Sequence, residues 1–149
     1  MLVSDTYFAS PISWGSTPQN WKSADSFAAS HGLIFAPSVG PGYVDTRVRP
    51  WNSQATKSRT RRGYYDNEWK SAIASNARWV GITSFNEWHE GTQIEPATRG
   101  KLDAAQGFAY EEYVDGPNMY LDATRDWVQK FDPTMSAEHV PGPGTTLGR

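Results

Sequence analysis

The chain mixes two hydrophobic patterns: short unbroken apolar runs, and stretches with apolar residues three or four apart. Asp5–Ser10 reads as a short strand that stops at Pro11. After a loop over 12–17, Thr17 and Pro18 form a helix start, with Thr at the cap and Pro in the first helical position. Trp21, Ala24, Phe27 and Ala28 then recur at helical spacing and predict one buried face. Gly32 stands where a left-handed residue would end that helix. Leu33–Ala36 is continuously apolar and closed by Pro37, the pattern of a strand buried on both faces. Ser38–Gly42 reads as loop, and 43–60 has no period and is long for a structureless connection, which points to function or disorder.

The alternation repeats. Tyr65, Trp69, Ala72 and Ile73 predict a second helix, and Trp79–Phe85 a third strand. Asn86–Pro96 is polar and reads as a loop, and 97–116 as irregular. Pro117 opens a last helix with Tyr120, Thr124, Trp127, Val128 and Phe131 on one face. Asp132–Arg149 is rich in Pro and Gly and predicts a disordered tail. Strands alternating with helices imply an α/β fold with a parallel sheet, whose ligands sit beyond the carboxyl ends of the strands. The loops 11–17, 38–60 and 86–96 all leave that edge.

Composition narrows the picture. With 149 residues the chain has the size of one ordinary domain. A complete (β/α)8 barrel typically needs about 250 residues. The net charge of -2 argues against a dedicated nucleic-acid binder. The absence of Cys excludes disulfides, a thiol nucleophile and Cys-based metal centres. No apolar run is long enough to cross a membrane, and the first ten residues lack a signal-peptide pattern. Aromatics make up 13% of a chain whose mean hydropathy is only -0.64. They fit an aromatic-lined binding surface or an aromatic core equally well.

Two loops carry candidate chemistry. Ser84–Glu95 places Glu87 and Glu90 at the end of the third strand. Two carboxylates about 5 Å apart are the geometry of retaining sugar hydrolysis. In extended backbone their odd spacing sends them to opposite faces, so they converge only if the chain turns after Glu87, and Gly91 favours such a turn. A solvated acidic loop is the alternative. His89–Glu90 is not the start of a zinc motif, because position 93 is Gln, and a dedicated zinc site is not expected. In Pro41–Asn52, Arg49 precedes a proline that biases its backbone toward extended forms. Its planar guanidinium suits a hydroxyl or a carboxylate. The alternative is a loop ion pair of Asp45 with Arg47 or Arg49. Lys57, Arg59, Arg61 and Arg62 form a basic run that reads as a solvated loop or helix approach, with an anionic-ligand patch as the alternative.

Taken together, these stretches resemble glycoside hydrolase family 99, the endo-α-1,2-mannosidases and endo-α-1,2-mannanases. The matching segments are Thr6–Ser10, Gln19–Lys22, Pro37–Tyr43, Asp45–Thr46, Arg49–Asn52, Gly63–Tyr65 and Ile82–Glu95, in family order and spacing. The resemblance covers about residues 5–131. It implies a partial (β/α)8 barrel, the last three βα units, over residues 1–131, with a tail over 132–149. It implies a retaining hydrolase of internal α-mannosidic bonds, acting through a 1,2-anhydro sugar. Glu90 would be the acid/base and Glu87 the carboxylate that deprotonates the substrate's 2-hydroxyl. Tyr7 and Arg49 match family positions lining the site, and Asn86, Trp88 and Gln93 are local candidates for substrate support. The resemblance implies no metal or organic cofactor. The partner would be a mannose-containing oligosaccharide, either a glucosylated high-mannose N-glycan or an α-mannan. The site of action would be the Golgi lumen for a eukaryotic chain, whose membrane anchor would lie outside this segment, or outside the cytoplasm for a bacterial one. Pro11–Trp14 departs from the family step after Thr6–Ser10, which leaves the first loop's substrate contacts open. A sugar-binding relative without turnover, or an inactive fragment, is the competing expectation.

Overall fold

The computed structural model describes residues 2–5, 17–98, 102–103, 108–110 and 113–132. The alternation predicted from sequence is present. Strands β1 (Leu2–Asp5), β2 (Phe35–Val39) and β3 (Gly81–Ile82) form a parallel sheet in that order. Helix α1 (Trp21–Ser30) connects β1 to β2, and α2 (Gly63–Ala74) connects β2 to β3. Helix α3 (Met119–Val128) comes last. No helix among the described residues is long and apolar enough to cross a membrane.

Element boundaries differ from the sequence reading in instructive ways. The first ladder occupies Leu2–Asp5, paired with Phe35–Ser38, and of the predicted strand Asp5–Ser10 only Asp5 is among the described residues. Residues 6–16 lie outside the described residues. β2 starts two residues later than predicted and runs through Pro37 instead of stopping there. The register explains the proline. In a parallel ladder successive residues face alternate neighbours. Val39 O accepts from Thr83 N, so Val39 and Pro37 both face β3. β3 begins only at Gly81, opposite Ser38, so the donor that Pro37 lacks falls before that pairing starts. Leu33 and Ile34 become an exposed lead-in. The predicted strand Trp79–Phe85 contracts to Gly81–Ile82, with Trp79 and Phe85 exposed at 64% and 57%. Residues 97–116, expected to be irregular, contain a small antiparallel pair, β4 (Leu102–Asp103) and β5 (Phe108–Ala109). Strands of two residues are too short to show a period. Of the predicted tail, all beyond Asp132 lies outside the described residues.

The core settles the question that composition left open. Trp21, Tyr65, Trp69, Tyr120 and Trp127 pack with Phe35 and Val39 between the sheet and the helices. Tyr65 meets Trp69 and Tyr120 edge-on, and the Trp69 and Trp127 rings lie parallel. Full burial of a side chain such as Phe35 stabilises by about 1.5–3 kcal/mol, so truncating one of these rings would cost a large share of a small domain's stability. Among the described residues nine aromatics are buried and structural, whereas Trp51, Trp79, Phe85 and Phe27 are exposed, Trp51 the most at 80%. Phe27 also departs from expectation. It lies about 100° around the helix from Ala28, faces solvent, and stacks on His31. Val128 is likewise exposed rather than buried. Several buried residues are polar or charged, and one of them supports the sheet edge. Glu68 on α2 is 2% exposed and accepts a hydrogen bond from Gly40 N at 3.0 Å, which fixes the first turn of the loop leaving β2.

Candidate active site

The loops that follow β2 and β3 meet beyond the carboxyl ends of those strands. The long 43–60 segment is ordered because its ends are tied. Tyr43 and Lys57 exchange backbone hydrogen bonds at 2.9 and 2.7 Å. Inside the loop the Asp45 carbonyl accepts from Val48 N and Arg49 N, turning the chain tightly. Arg49 has φ -130 and ψ 75, outside the helical region, as the following Pro50 requires.

The loop after β3 is closed by Ser84 and Thr92, which join through backbone and hydroxyl contacts. Ser84 Oγ also accepts from Glu87 N at 2.9 Å. The Thr83–Ser84 peptide bond is cis. Trp88–Glu90 forms one turn of 3-10 helix and Gly91 ends it at φ +64. The chain thus turns right after Glu87, so the strand geometry that would separate the two carboxylates does not apply. Gly91 serves a second need. A Cβ there would lie 2.9 Å from Val44 Cγ1, and Val44 N donates to Glu90 O at 2.8 Å. The absence of a side chain lets the two loops dock backbone against backbone.

Side chains complete the junction. Arg49 Nη1 donates to Asp45 Oδ2 at 2.9 Å and to Glu90 Oε1 at 3.0 Å. The ion pair that sequence offered as an alternative to a site role is present, and the same guanidinium also reaches the candidate acid/base. Asp45 is fully buried, and its Oδ2 also accepts from Tyr43 OH at 2.8 Å and Asn52 Nδ2 at 3.0 Å. Burial opposes ionisation of Asp45, but the hydrogen bonds from Asn52, Arg49 and Tyr43 outweigh it and hold the carboxyl below its usual range. Burial, then the hydrogen bond to Asp45 and the nearby carboxylates, push the Tyr43 phenol up to about 12. Hydrogen bonds to Asp45 and Glu90 raise the Arg49 guanidinium further above its already high range.

The other candidate residues divide. Glu87 is exposed, and its carboxylate makes no hydrogen bond or ion pair with any described residue. Asn86 is exposed too, its carbonyl accepting from Trp88 N. Trp88 and Gln93 instead face inward. The Trp88 indole donates to Glu95 Oε2 at 2.7 Å and meets Tyr110 edge-on. Gln93 is 1% exposed, and its Oε1 accepts from Arg59 at 2.8 Å. Tyr7 lies outside the described residues.

Arg59 is the residue sequence reasoning misplaced. It belongs to the basic run expected to be solvated, and Arg61 is indeed exposed. Arg59 is buried between the rings of Tyr113 and Tyr120 and donates to the Gly91 and Gln93 carbonyls. It clamps the loop that carries Glu87 and Glu90 onto α3. Burial also pushes the Tyr113 phenol up to about 12, against the opposing pull of Arg59. A run of like charges carries no signal that one member turns inward. Asp45 entered as an ion-pair partner and, like Tyr43 and Asn52, within segments that match the family, but none of the three was assigned a place in the site.

Comparison with known proteins places this geometry. The model of Glycosyl hydrolase family 99 matches residues 3–133. Glycoprotein endo-alpha-1,2-mannosidase of Xenopus laevis is 48% identical over 128 residues, covering 85% of this chain and 28% of the relative. The Homo sapiens glycoprotein endo-alpha-1,2-mannosidase-like protein is 46% identical over 128 residues, covering 85% of this chain and 27% of the relative. The GH99 endo-alpha-mannosidase of Bacteroides thetaiotaomicron superposes with a TM-score of 0.76 at 48% identity, over 89% of this chain and 38% of that one. The chain therefore spans little more than a quarter of the curated relatives it matches. A parallel sheet with carboxylate-bearing loops at its carboxyl edge, matched along nearly the whole described chain, means that this chain belongs to glycosyl hydrolase family 99.

Proposed function

We propose that residues 1–131 form the last three βα units of a (β/α)8 barrel and carry the acid–base centre of a retaining endo-α-1,2-mannosidase. The observation that carries this reading is the meeting of Arg49 and Glu90, which joins the loops of two adjacent parallel strands beside the exposed Glu87. The substrate would be a mannose-containing oligosaccharide, a glucosylated high-mannose N-glycan or an α-mannan. The corresponding compartments are the Golgi lumen and the space outside the cytoplasm.

The chemistry takes two steps. Glu87 removes the proton from the 2-hydroxyl of the mannose at the cleavage point. O2 attacks C1 from the face opposite the leaving oxygen, which is open because the 2-hydroxyl of an α-mannoside is axial and trans to that oxygen. The bond from C1 to the leaving oxygen breaks, and Glu90 protonates that oxygen. The product is a 1,2-anhydro sugar. Glu90 then takes a proton from water as its oxygen bonds to C1. The C1–O2 bond opens, Glu87 returns its proton to O2, and the net outcome is retention. Arg49, anchored at Asp45, would hold Glu90 and offer its remaining donors to substrate hydroxyls. Tyr7 and Asn86 would contact the sugar. Trp88 and Gln93, both buried, would support the loop from beneath.

The test is Glu87→Gln and Glu90→Gln in the full-length polypeptide. Each change removes one ionisable group with little change of shape, and general acid–base groups typically contribute about 10²–10⁴-fold. Wild-type turnover in either variant would sink the assignment. A second reading concerns the segment alone. It spans just over a quarter of its relatives, and β1 and β3 each have a single strand neighbour among the described residues. Residues 1–149 by themselves would then be a fragment without turnover.

A further inference from the structure

We infer that Asp45 is a positioning residue for the reaction: it anchors the Arg49 guanidinium, and through it aims the Glu90 carboxylate at the leaving-group oxygen. The inference rests on the acid–base reading of Glu90 and goes beyond it, because Asp45 itself touches no reacting atom.

The first support is the way the donors are distributed. Tyr43 OH, Arg49 Nη1 and Asn52 Nδ2 all converge on Oδ2 of Asp45. Oδ1 is buried and has no partner among the described residues. A buried carboxylate oxygen without a partner is costly. An arrangement selected for stability alone would spread its donors over both oxygens. Here they are gathered on the oxygen that also holds Arg49.

The second support is the division of labour at Arg49. A single nitrogen, Nη1, serves Asp45 at 2.9 Å and Glu90 at 3.0 Å. The arginine is 45% exposed, so solvent alone would leave it mobile, whereas Asp45 is fully buried and held by donors from Tyr43, Arg49 and Asn52. The anchor therefore transmits rigidity outward, from the buried carboxylate to the guanidinium and then to Glu90. The backbone acts in parallel. Val44, the residue before Asp45, donates to the Glu90 carbonyl at 2.8 Å. Tyr43–Asp45 thus holds Glu90 directly by its main chain and, through Arg49, by the Asp45 side chain. A merely structural ion pair would need neither contact with Glu90.

The mechanism predicts a specific kinetic signature. A misaimed general acid slows departure of a poor leaving group and matters little for a good one. The experiment compares Asp45→Asn, Tyr43→Phe and Glu90→Gln in the full-length polypeptide, each against an α-mannoside with a sugar leaving group and the corresponding glycosyl fluoride. Asn keeps the shape and an acceptor oxygen but loses the charge, and neutral hydrogen bonds are roughly half as strong as charge-assisted ones. Asp45→Asn should lower kcat on the sugar leaving group about tenfold, in keeping with the steep cost of small misalignments. KM should stay nearly constant and the fluoride rate close to wild type. Tyr43→Phe removes one hydroxyl, should fold even if Asp45→Asn does not, and should shift kcat in the same pattern by a few-fold. Equal losses on both substrates, or a loss confined to KM, would overturn the inference while leaving Glu90 as acid/base. If Glu90→Gln itself shows no leaving-group dependence, both readings fall together. A readout independent of turnover is the nuclear magnetic resonance signal of the Arg49 guanidinium. It should show restricted rotation in the wild type and free rotation in Asp45→Asn, and equal mobility in both would also overturn the inference.

Discussion

Arg59 and Gln93 hold each other through two hydrogen bonds, from Nη1 to the side-chain oxygen and from Nη2 to the carbonyl, both at 2.8 Å. The pair is buried, and Tyr113 and Tyr120 lie within cation–π distance of the guanidinium. The loop that carries Glu87 and Glu90 is therefore fastened by a buried residue of the loop that follows β2. Arg59→Lys should destabilise by about 1–3 kcal/mol, because the single ammonium cannot satisfy the Gly91 and Gln93 acceptors that the planar fork serves. Chemical denaturation reads the loss directly, and unchanged stability would show that the clamp is dispensable.

Gly91→Ala should damage both stability and turnover. The residue sits at φ +64, where a side chain costs about 1–2 kcal/mol, and the added Cβ meets Val44 Cγ1 at 2.9 Å. Relief requires the two loops to separate, which moves Glu90 away from Arg49. Gly63→Ala, with nothing within 4 Å of its Cβ, is the control and should be close to neutral.

Arg49→Lys keeps the charge and loses the fixed planar geometry. With the guanidinium 45% exposed, little stability is expected from its ion pairs. Turnover should fall while the melting temperature changes little. The reverse pattern, a lower melting temperature with unchanged kinetics, would make Arg49 a loop brace and no more.

Stability should depend on pH in two windows. The Asp45 carboxyl titrates below its usual range in the folded chain. Its contribution is then complete above the unfolded value, about pH 4, and is lost as pH falls through the folded value, because the unfolded chain binds the proton first. Tyr43 titrates at about 12 when folded. Its contribution is complete below the unfolded value, about pH 10, and is lost as pH rises toward the folded one. Denaturation curves for Asp45→Asn should therefore fall less steeply with acid than those of the wild type, and those for Tyr43→Phe less steeply with alkali. Slopes identical to the wild type would contradict the assignment.

Expressed alone, residues 1–149 should associate and show no turnover. Leu33, Ile34, Trp79 and Phe85 are all more than 40% exposed around a three-stranded sheet. Such apolar surface and unpaired strand edges favour association. Size-exclusion chromatography together with an α-mannoside assay decides the matter. A monodisperse active monomer would refute both the association and the fragment reading.

Sequence alone determined the alternation of parallel strands with helices, and it marked Gly91 as favouring a turn near Glu87. These follow from patterns within a few residues of one another: Trp21 to Ala28 on α1, Tyr65 to Ala72 on α2, and the glycine at position 91. The resemblance over Ile82–Glu95 also named the family that the comparison bears out. Tertiary structure decided what those windows could not contain. Arg49 and Glu90 are 41 positions apart, and Arg59 and Gln93 are 34 apart. Neither pairing leaves a local period, because each depends on how two loops dock rather than on how either folds. The same holds for Pro37 inside β2, which is tolerated only because its neighbour strand begins one step later. Periodicity reports which face a residue takes on its own element. Whether an arginine is solvated or buried, or a carboxylate shared, depends on the elements packed against it, and that information exists only in three dimensions.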